Sequence, residues 1–233
     1  IIPARYNSSR LPGKPLKEIA GKPMIQRVYE NATKSSAKDV VVATDDLRIL
    51  ECVEKFGGRA LLTSKTHRSG TERVQEVVKL LNLSLDDIVV NVQGDEPLMP
   101  PEAINKVATD LKDKEEFGIA TLCELSSKDM ENPNIVKVVV NTFGEALYFS
   151  RAAIPHSSNS GDYLRHIGLY AYRVDILNKL IGLPVSDYEK LESLEQLRAL
   201  AFGIKIHVAI SDFNIPPGID TPSDLEAVRA LIS

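Results

Sequence analysis

The sequence has no tryptophan, only two cysteines among 233 residues, no excess of positive charge and no long apolar run. Two cysteines far apart, Cys52 and Cys123, exclude a disulfide scaffold and a Cys-rich metal site. Each lies in an apolar pattern and reads as a small buried hydrophobe, as expected of a chain kept in the reducing cytoplasm. A net charge of −4 excludes nucleic-acid binding through bulk charge, so any anion site must be local. No segment approaches the roughly 20 apolar residues of a membrane span, and no signal-peptide pattern is present. The chain opens without Met inside an apparent strand, so a few residues are expected to precede Ile1. Both familiar glycine signatures, G-x-x-x-x-G-K-[ST] and G-x-G-x-x-G, are missing as well.

With 43% hydrophobic residues the chain is sufficient for a large α/β domain or a core carrying an insertion. Strand and helix patterns alternate through the first half, which predicts a mostly parallel sheet flanked by helices, a Rossmann-like α/β core. DVVVAT (39–44) and DIVVNV (87–92) read as strands buried on both faces. Helical stripes follow Pro23, Ser69 and Pro101; Ser69 and Glu72 have capping-box spacing. After about residue 118 the pattern changes to GIATLCEL, IVKVVV, EALYFS and HIGLYAY, strands with little helix between them. Ser186 and Glu189 then cap a long helix with Leu191, Leu194, Leu197 and Ala201 on one face. Residues 156–162, HSSNSGD, read as a loop. The expected division is a core at 1–118 plus 201–233 and a smaller strand-rich lobe at 119–200.

Chemistry concentrates in two places. Residues 1–16, IIPARYNSSRLPGKPL, run from a strand end into a loop with three cations, Arg5, Arg10 and Lys14. Pro3, Pro12 and Pro15 stiffen it, while Ser8, Ser9 and Gly13 keep its backbone approachable. Such a loop suits a triphosphate whose pyrophosphate departs; the alternative is a solvated basic turn. The second place is VVNVQGDEPLM (89–99), where a strand delivers Asp95 and Glu96 to its carboxyl end, the ligand-binding edge of open α/β sheets. Asp95 there either caps the turn before Pro97 or holds Mg²⁺, a hard ion served by one or two carboxylates. Asp220 in GIDTPSDL is the candidate second acid, because Thr221 is the natural cap of the following helix. In TDD (44–46), Thr44 or Asp45 is explained as a helix cap.

Further along, His166 and Tyr170 share one face of a strand with Gly168 between them. His166 alone reads more readily as a structural histidine than as a functional one, and Arg151 alone as a surface ion pair. Glu195 borders an apolar stripe, where an unpaired carboxylate is costly, and Gln196 faces away from it.

IIPARYNSSRLPGKPL, VVATDD, SGTER, VNVQGDEP, ALYFSRAAIP, RHIGLYAYR, LESLEQLR and GIDTP occur in the order that marks the 3-deoxy-manno-octulosonate cytidylyltransferase family, the CMP-Kdo synthetases. The resemblance spans essentially the whole chain. It implies a nucleotidyltransferase fold, a nucleotide-binding core and a sugar-binding and dimerisation lobe. It further implies transfer of CMP from CTP to the anomeric hydroxyl of Kdo, pyrophosphate release and a Mg²⁺ cofactor. A cytoplasmic homodimer serving lipopolysaccharide or capsule synthesis is implied too, with no nucleic-acid or membrane partner. Arg10 and Lys14 match the family's triphosphate cations, with Arg5 close by. Ser69, Gly70 and Arg73 fall in its nucleotide motif, and Gln93 lies beside cytidine and sugar. Asp95 and Asp220 match its magnesium carboxylates; Arg151, His166, Tyr170, Glu195 and Gln196 match its sugar-acid positions. Arg151 with a protonatable His166 is then expected to offset the sugar carboxylate. The short 156–162 loop and the NIPPGID turn depart from many relatives and bear on sugar preference. 8-Amino-Kdo or another sugar acid is the alternative acceptor, and a non-catalytic nucleotide-sugar sensor the alternative class.

Overall fold

The structure, a computed structural model, describes residues 1–8, 10–156 and 161–232. Ser9 and most of the loop expected at 156–162 lie outside the described residues. Two compact units are formed: Ile1–Leu83, Asn91–Asn105 and Ile215–Ser233 make the first, Ser84–Val90 and Lys106–Asn214 the second. The strand-rich unit is therefore larger than 119–200.

The first unit runs through β1 (Ile2–Ala4), a 3₁₀ turn (Lys14–Leu16), the ribbon β2 (Glu18–Ile19) and β3 (Lys22–Pro23), then α1 (Met24–Ala32). β4 (Val42–Thr44), α2 (Leu47–Lys55), β5 (Ala60–Leu62) and α3 (Gly70–Leu80) follow. β1, β4 and β5 pair in parallel in that order. Parallel neighbours need a crossover, which α1 and α2 supply. α1 buries Met24, Ile25, Val28 and Ala32, and α2 buries Ile49 and Val53, one stripe each. Cys52 lies beside that stripe and is only half-buried, unlike the fully buried Cys123.

Parallel strands place their carboxyl ends at one edge. Ala4 lies beside Thr44, and Thr44 beside Leu62, so Arg5, Asp45 and Thr63 emerge together. The Val92 N–H donates to the Ile1 carbonyl at 3.0 Å, so the 92–95 segment runs along β1 to the same edge. It passes closely: a Cβ on Gly94 would sit 2.7 Å from the Pro3 carbonyl oxygen, and glycine alone fits there. A buried cluster of Leu11, Ile19, Met24, Ile219, Leu225 and Val228 fixes the rest. Leu11 and Ile219 are the chain neighbours of Arg10 and Asp220, so apolar burial anchors the cationic loop and the second acid.

In the second unit the chain continues through β6 (Ile88–Asn91) and α4 (Pro101–Asp113), each crossing a unit boundary. β7 (Ile119–Ser126), β8 (Lys137–Val140), β9 (Ala146–Ser150) and β10 (Tyr163–Arg173) precede α5 (Val174–Gly182), α6 (Asp187–Glu192), α7 (Gln196–Ala201) and β11 (Ile206–Ile210). The sheet order is β11-β7-β10-β8-β9, with β6 also on β10. β7, β10, β8 and β9 pair antiparallel and β11 runs parallel to β7, so the strand-rich unit is a mixed sheet, while the parallel sheet expected in the first half is the first unit's β1, β4 and β5. Pairing with β7 is also what draws residues 206–210 out of the expected core.

Two helical expectations change. α5 was not anticipated; its short stripe of Val174, Leu177 and Leu180 follows β10 without a break. The long helix after Ser186 is two short ones, because Ser193 takes a left-handed backbone, φ 53°. The turn swings Leu191 into solvent, 82% exposed, while Leu194 and Leu197 stay buried.

Candidate active site

At the carboxyl edge of the first unit's strands lies a cleft of about 260 Å³. Three stretches line it: the cationic loop with Arg5, Arg10 and Lys14, the start of α3 with Arg68, Ser69, Gly70 and Arg73, and Gln93–Asp95 with Asp220. Cations outnumber carboxylates, which makes it an anion site in a chain of net negative charge.

The loop is held by its own backbone. Gly13, at φ 67°, donates its N–H to the Tyr6 carbonyl at 3.1 Å, and the Leu11 N–H reaches Ser8 Oγ at 3.3 Å. The Tyr6 ring packs on Gly13, and the Arg48 guanidinium covers that ring at 3.4 Å from its centroid. Asp46 grips Arg48 with two bonds of 2.8 and 2.7 Å. Asp46 also caps α2 through the Arg48 N–H at 3.0 Å, so the expected cap, Thr44 or Asp45, is not the one used.

Asp45 is committed instead to Arg73. The Arg73 guanidinium bonds Asp45 at 2.8 Å, Thr63 Oγ1 at 2.5 Å and the Ser64 carbonyl at 3.1 Å. It fastens α3 to the strand ends rather than standing free for a ligand. Ser69 caps α3 by accepting the Glu72 N–H at 3.2 Å. Glu72 takes the Arg68 N–H at 2.7 Å and the Arg68 guanidinium, which sets Arg68 at the cleft wall. The α3 N-terminus thus adds its dipole to the cationic side of the cleft.

The acids meet at Lys14. Its ammonium lies 2.6 Å from Asp95 Oδ2, 3.2 Å from Asp220 Oδ1 and 2.9 Å from the Ile219 carbonyl, while Arg10 reaches Asp220 at 3.0 Å. Asp220 is positioned by Asp224, which accepts the Asp220 and Thr221 N–H groups at 3.0 and 2.8 Å. Thr221 caps the C-terminal helix in return, accepting the Asp224 N–H at 3.2 Å. Partial burial raises the Asp224 carboxyl, but those hydrogen bonds outweigh it and hold it below the usual range. Among the described residues no group of three or more His, Cys, Asp or Glu side chains converges for a metal. Two carboxylates reaching one point do fit Mg²⁺, which takes its remaining ligands from phosphate and water.

The expected sugar residues lie in the second unit. The His166 and Tyr170 rings are 5.4 Å apart, so the shared strand face is real, across an irregularity in the β10–β7 register. Tyr170 stacks on Tyr172 at 5.8 Å, and its buried hydroxyl has no hydrogen-bond partner among the described residues. His166 Nε2 sits 3.1 Å from Thr121 Oγ1, whose hydrogen is directed at the Ile167 and Leu169 carbonyls. Nε2 is therefore the donor. The Arg151 guanidinium donates to the carbonyls of Glu192 (2.8 Å), Pro133 (2.9 Å) and Ser193 (3.5 Å). The Glu192 carboxylate accepts the Arg151 backbone N–H at 2.8 Å, and among the described residues the guanidinium forms no ion pair. Glu195 ends the turn before α7, 3.8 Å from Arg198, and Gln196 opens the helix half-buried.

The sequence profile of the family described as Cytidylyltransferase matches residues 1–206. The chain belongs to the cytidylyltransferase family. It is similar to a Cellvibrio japonicus 3-deoxy-manno-octulosonate cytidylyltransferase, 52% identical over 100% of this chain and 96% of that protein. A Vibrio vulnificus protein of the same name is 51% identical, again over 100% of this chain and 97% of the relative. The solved structure of a CMP:2-keto-3-deoxy-manno-octonic acid synthetase complexed with CTP superposes with a TM-score of 0.94 at 48% identity, covering 99% of this chain and 96% of the other. A Leptospira borgpetersenii cytidylyltransferase shares the fold alone, at TM-score 0.66 and 19% identity over 99% of this chain and 84% of that one. The nucleotidyltransferase fold expected from the motifs is the one this cytidylyltransferase has.

One expectation about charge changes. Burial first, and the neighbouring Arg165 second, push the His166 pKa down to about 3, so the protonated imidazole expected beside Arg151 is absent. Burial likewise raises both thiols, Cys123 to about 12, which leaves no thiolate nucleophile. A residue with no sequence signal is Lys137, fully buried in a strand. Its ammonium donates to the carbonyls of Asn132 (3.1 Å), Ile135 (2.8 Å) and Arg151 (2.5 Å), and burial lowers its pKa. Nothing in IVKVVV distinguishes it from a solvent-facing strand lysine. Tyr6, Arg48 and Arg68 were missed too: Tyr6 meets Arg48 from far along the chain, and Arg48 and Arg68 stand just outside the motifs that hold their partners Asp46 and Glu72.

His166 sets a pH dependence. Folded it binds no proton down to about pH 3, whereas unfolded it protonates near 6.5. Between those values the unfolded chain holds more protons, so stability falls as pH falls from 6.5. Urea unfolding at about pH 7 and pH 5 should show a smaller acid loss in His166→Asn than in the unmodified protein. Equal losses would mean that His166 is not buried in its neutral form.

Proposed function

We infer that this protein transfers CMP from CTP to the anomeric hydroxyl of 3-deoxy-D-manno-octulosonate (Kdo), giving CMP-Kdo and pyrophosphate. The observation that carries the reading is the cationic cleft whose loop meets two carboxylates at one point. The relatives named for this activity, about half identical along the whole chain, support the substrate pair. In the reaction the hydroxyl oxygen bonds to the α-phosphorus, the bond to the β-phosphate oxygen breaks, and the hydroxyl proton passes to solvent.

Arg5, Arg10 and Lys14 bind the triphosphate, and Arg10 and Lys14 take up the charge that grows on departing pyrophosphate. Ser69 and Gly70 present the α3 N-terminus, and Gln93 orients the base and sugar. Asp95 and Asp220 would hold Mg²⁺, which supplies charge neutralisation at the phosphates and lowers the pKa of a nearby hydroxyl. For the acceptor, Arg151 offsets the sugar carboxylate, and neutral His166 serves as a hydrogen-bonding side chain with Tyr170, Glu195 and Gln196. The unpartnered Tyr170 hydroxyl supports a polar ligand on that strand face.

The same reading makes the protein a cytoplasmic homodimer working in lipopolysaccharide or capsule synthesis. Both cysteines are free, and among the described residues no helix is long and apolar enough to cross a membrane. Exposed Leu125, Phe143 and Leu147 on the second unit support a protein partner surface there.

Pyrophosphate release should be measured with Kdo, 8-amino-Kdo, N-acetylneuraminate and mannose 1-phosphate against four nucleoside triphosphates. Kdo with CTP should be the best pair, and mannose 1-phosphate should fail because it brings a second phosphate where a hydroxyl is required. A preference for N-acetylneuraminate or mannose 1-phosphate overturns the acceptor. For the metal pair, Asp95→Asn and Asp220→Asn should each stay folded and lose about 10²–10³ in turnover, the effect of removing one strong electrostatic stabiliser. Unchanged turnover at saturating Mg²⁺ would remove that acid from the mechanism.

A further inference from the structure

The oxygens expected to hold a metal already hold a cation. The Lys14 ammonium uses its three N–H groups on Asp95, Asp220 and the Ile219 carbonyl, and its side chain is only 13% exposed. All three acceptors are hard oxygens, the donor set a small divalent ion selects. The cage does not rest on the lysine alone. The Ile219 N–H donates to the Asp95 carbonyl at 2.9 Å, and Asp224 fixes the Asp220 backbone. The lysine is delivered by a stiff segment: Gly13 is left-handed, the Lys14 N–H bonds Leu11, and Pro15 sits inside the 3₁₀ turn.

We propose that Lys14 is the place-holder of the metal position: divalent cation and nucleotide enter together, and the Lys14 ammonium moves from Asp95 and Asp220 onto the triphosphate as they do. The proposal rests on the reading of Asp95 and Asp220 as the metal pair. A cation and an ammonium cannot share oxygens a few ångströms apart, since like charges there repel strongly. With Lys14 and Arg10 in place, the two carboxylates are neutralised and a lone metal ion gains little by arriving. A triphosphate changes that balance, because it offers both cations new anionic partners and offers the metal new ligands. Metal and nucleotide affinities are therefore coupled, and each raises the other. Lys14 accordingly has two stations, carboxylates before binding and phosphates after, and the exchange keeps the two carboxylates paired with a cation throughout.

Mn²⁺ serves as the probe, its free ion counted by electron paramagnetic resonance, with CTP present or absent and no sugar acid. Lys14→Met should bind Mn²⁺ without nucleotide about tenfold or more tighter than the unmodified protein, within the usual range of coupling. The gain from adding CTP should shrink correspondingly. Lys14→Arg, which keeps the charge, should show no such gain, and melting curves establish that each variant is folded. Adding Asp95→Asn or Asp220→Asn to Lys14→Met should abolish the extra affinity. Equal or weaker Mn²⁺ binding by folded Lys14→Met, while CTP still recruits Mn²⁺ to the unmodified protein through Asp95, overturns the place-holder and leaves the metal pair standing. Extra binding that survives both Asn substitutions overturns the metal pair itself.

Discussion

One ammonium group organises the first unit. Lys14 draws together a loop that leaves β1, an acid that leaves the segment beside β1, and an acid that precedes the C-terminal helix. These come from residues near 14, 95 and 220, so their meeting depends on the whole unit being folded. Burial does the anchoring: Leu11 and Ile219 belong to one apolar cluster, and their neighbours Arg10 and Asp220 are carried to the edge with them. The charges are then set by packing rather than by their own weak surface attraction. Pre-placed charge of this kind needs no reorganisation when a phosphate leaves.

The second unit solves a different problem, burying polar groups in a mixed sheet. Lys137 is caged by three carbonyls, His166 is held neutral against Thr121, and Arg151 spans three carbonyls across the turns at 133 and 192–193. Carbonyl partners satisfy these donors without cancelling their charge, and the Glu131 and Glu192 carboxylates offset that of Lys137 from nearby. The neutral, buried His166 fits the structural reading of a strand histidine.

Local chemistry was legible where the cause was local. Ser69, Ser186 and Thr221 cap the helices they were expected to cap, since a side chain two or three residues away is sufficient for that. The loop cations Arg5, Arg10 and Lys14 and both acids were legible because prolines, glycines and strand ends mark them. What was not legible depends on distant partners. Asp45 looked like a cap until Arg73, far along the chain, was seen to need it. The break at Ser193 left no Gly or Pro to announce it, and α5 was hidden by following β10 directly. The strand directions in the second unit were not legible because strand patterns report burial, not direction; the antiparallel β7–β10 pairing is a long-range fact.

The most direct measurement is anomalous diffraction at the manganese edge from crystals grown with CTP and Mn²⁺ and no acceptor. The account predicts a manganese peak bound by both Asp95 and Asp220, a triphosphate along the Arg5–Lys14 loop, and Lys14 Nζ on phosphate oxygens. A Lys14 still bridging the two carboxylates, with manganese and CTP bound elsewhere, would contradict it.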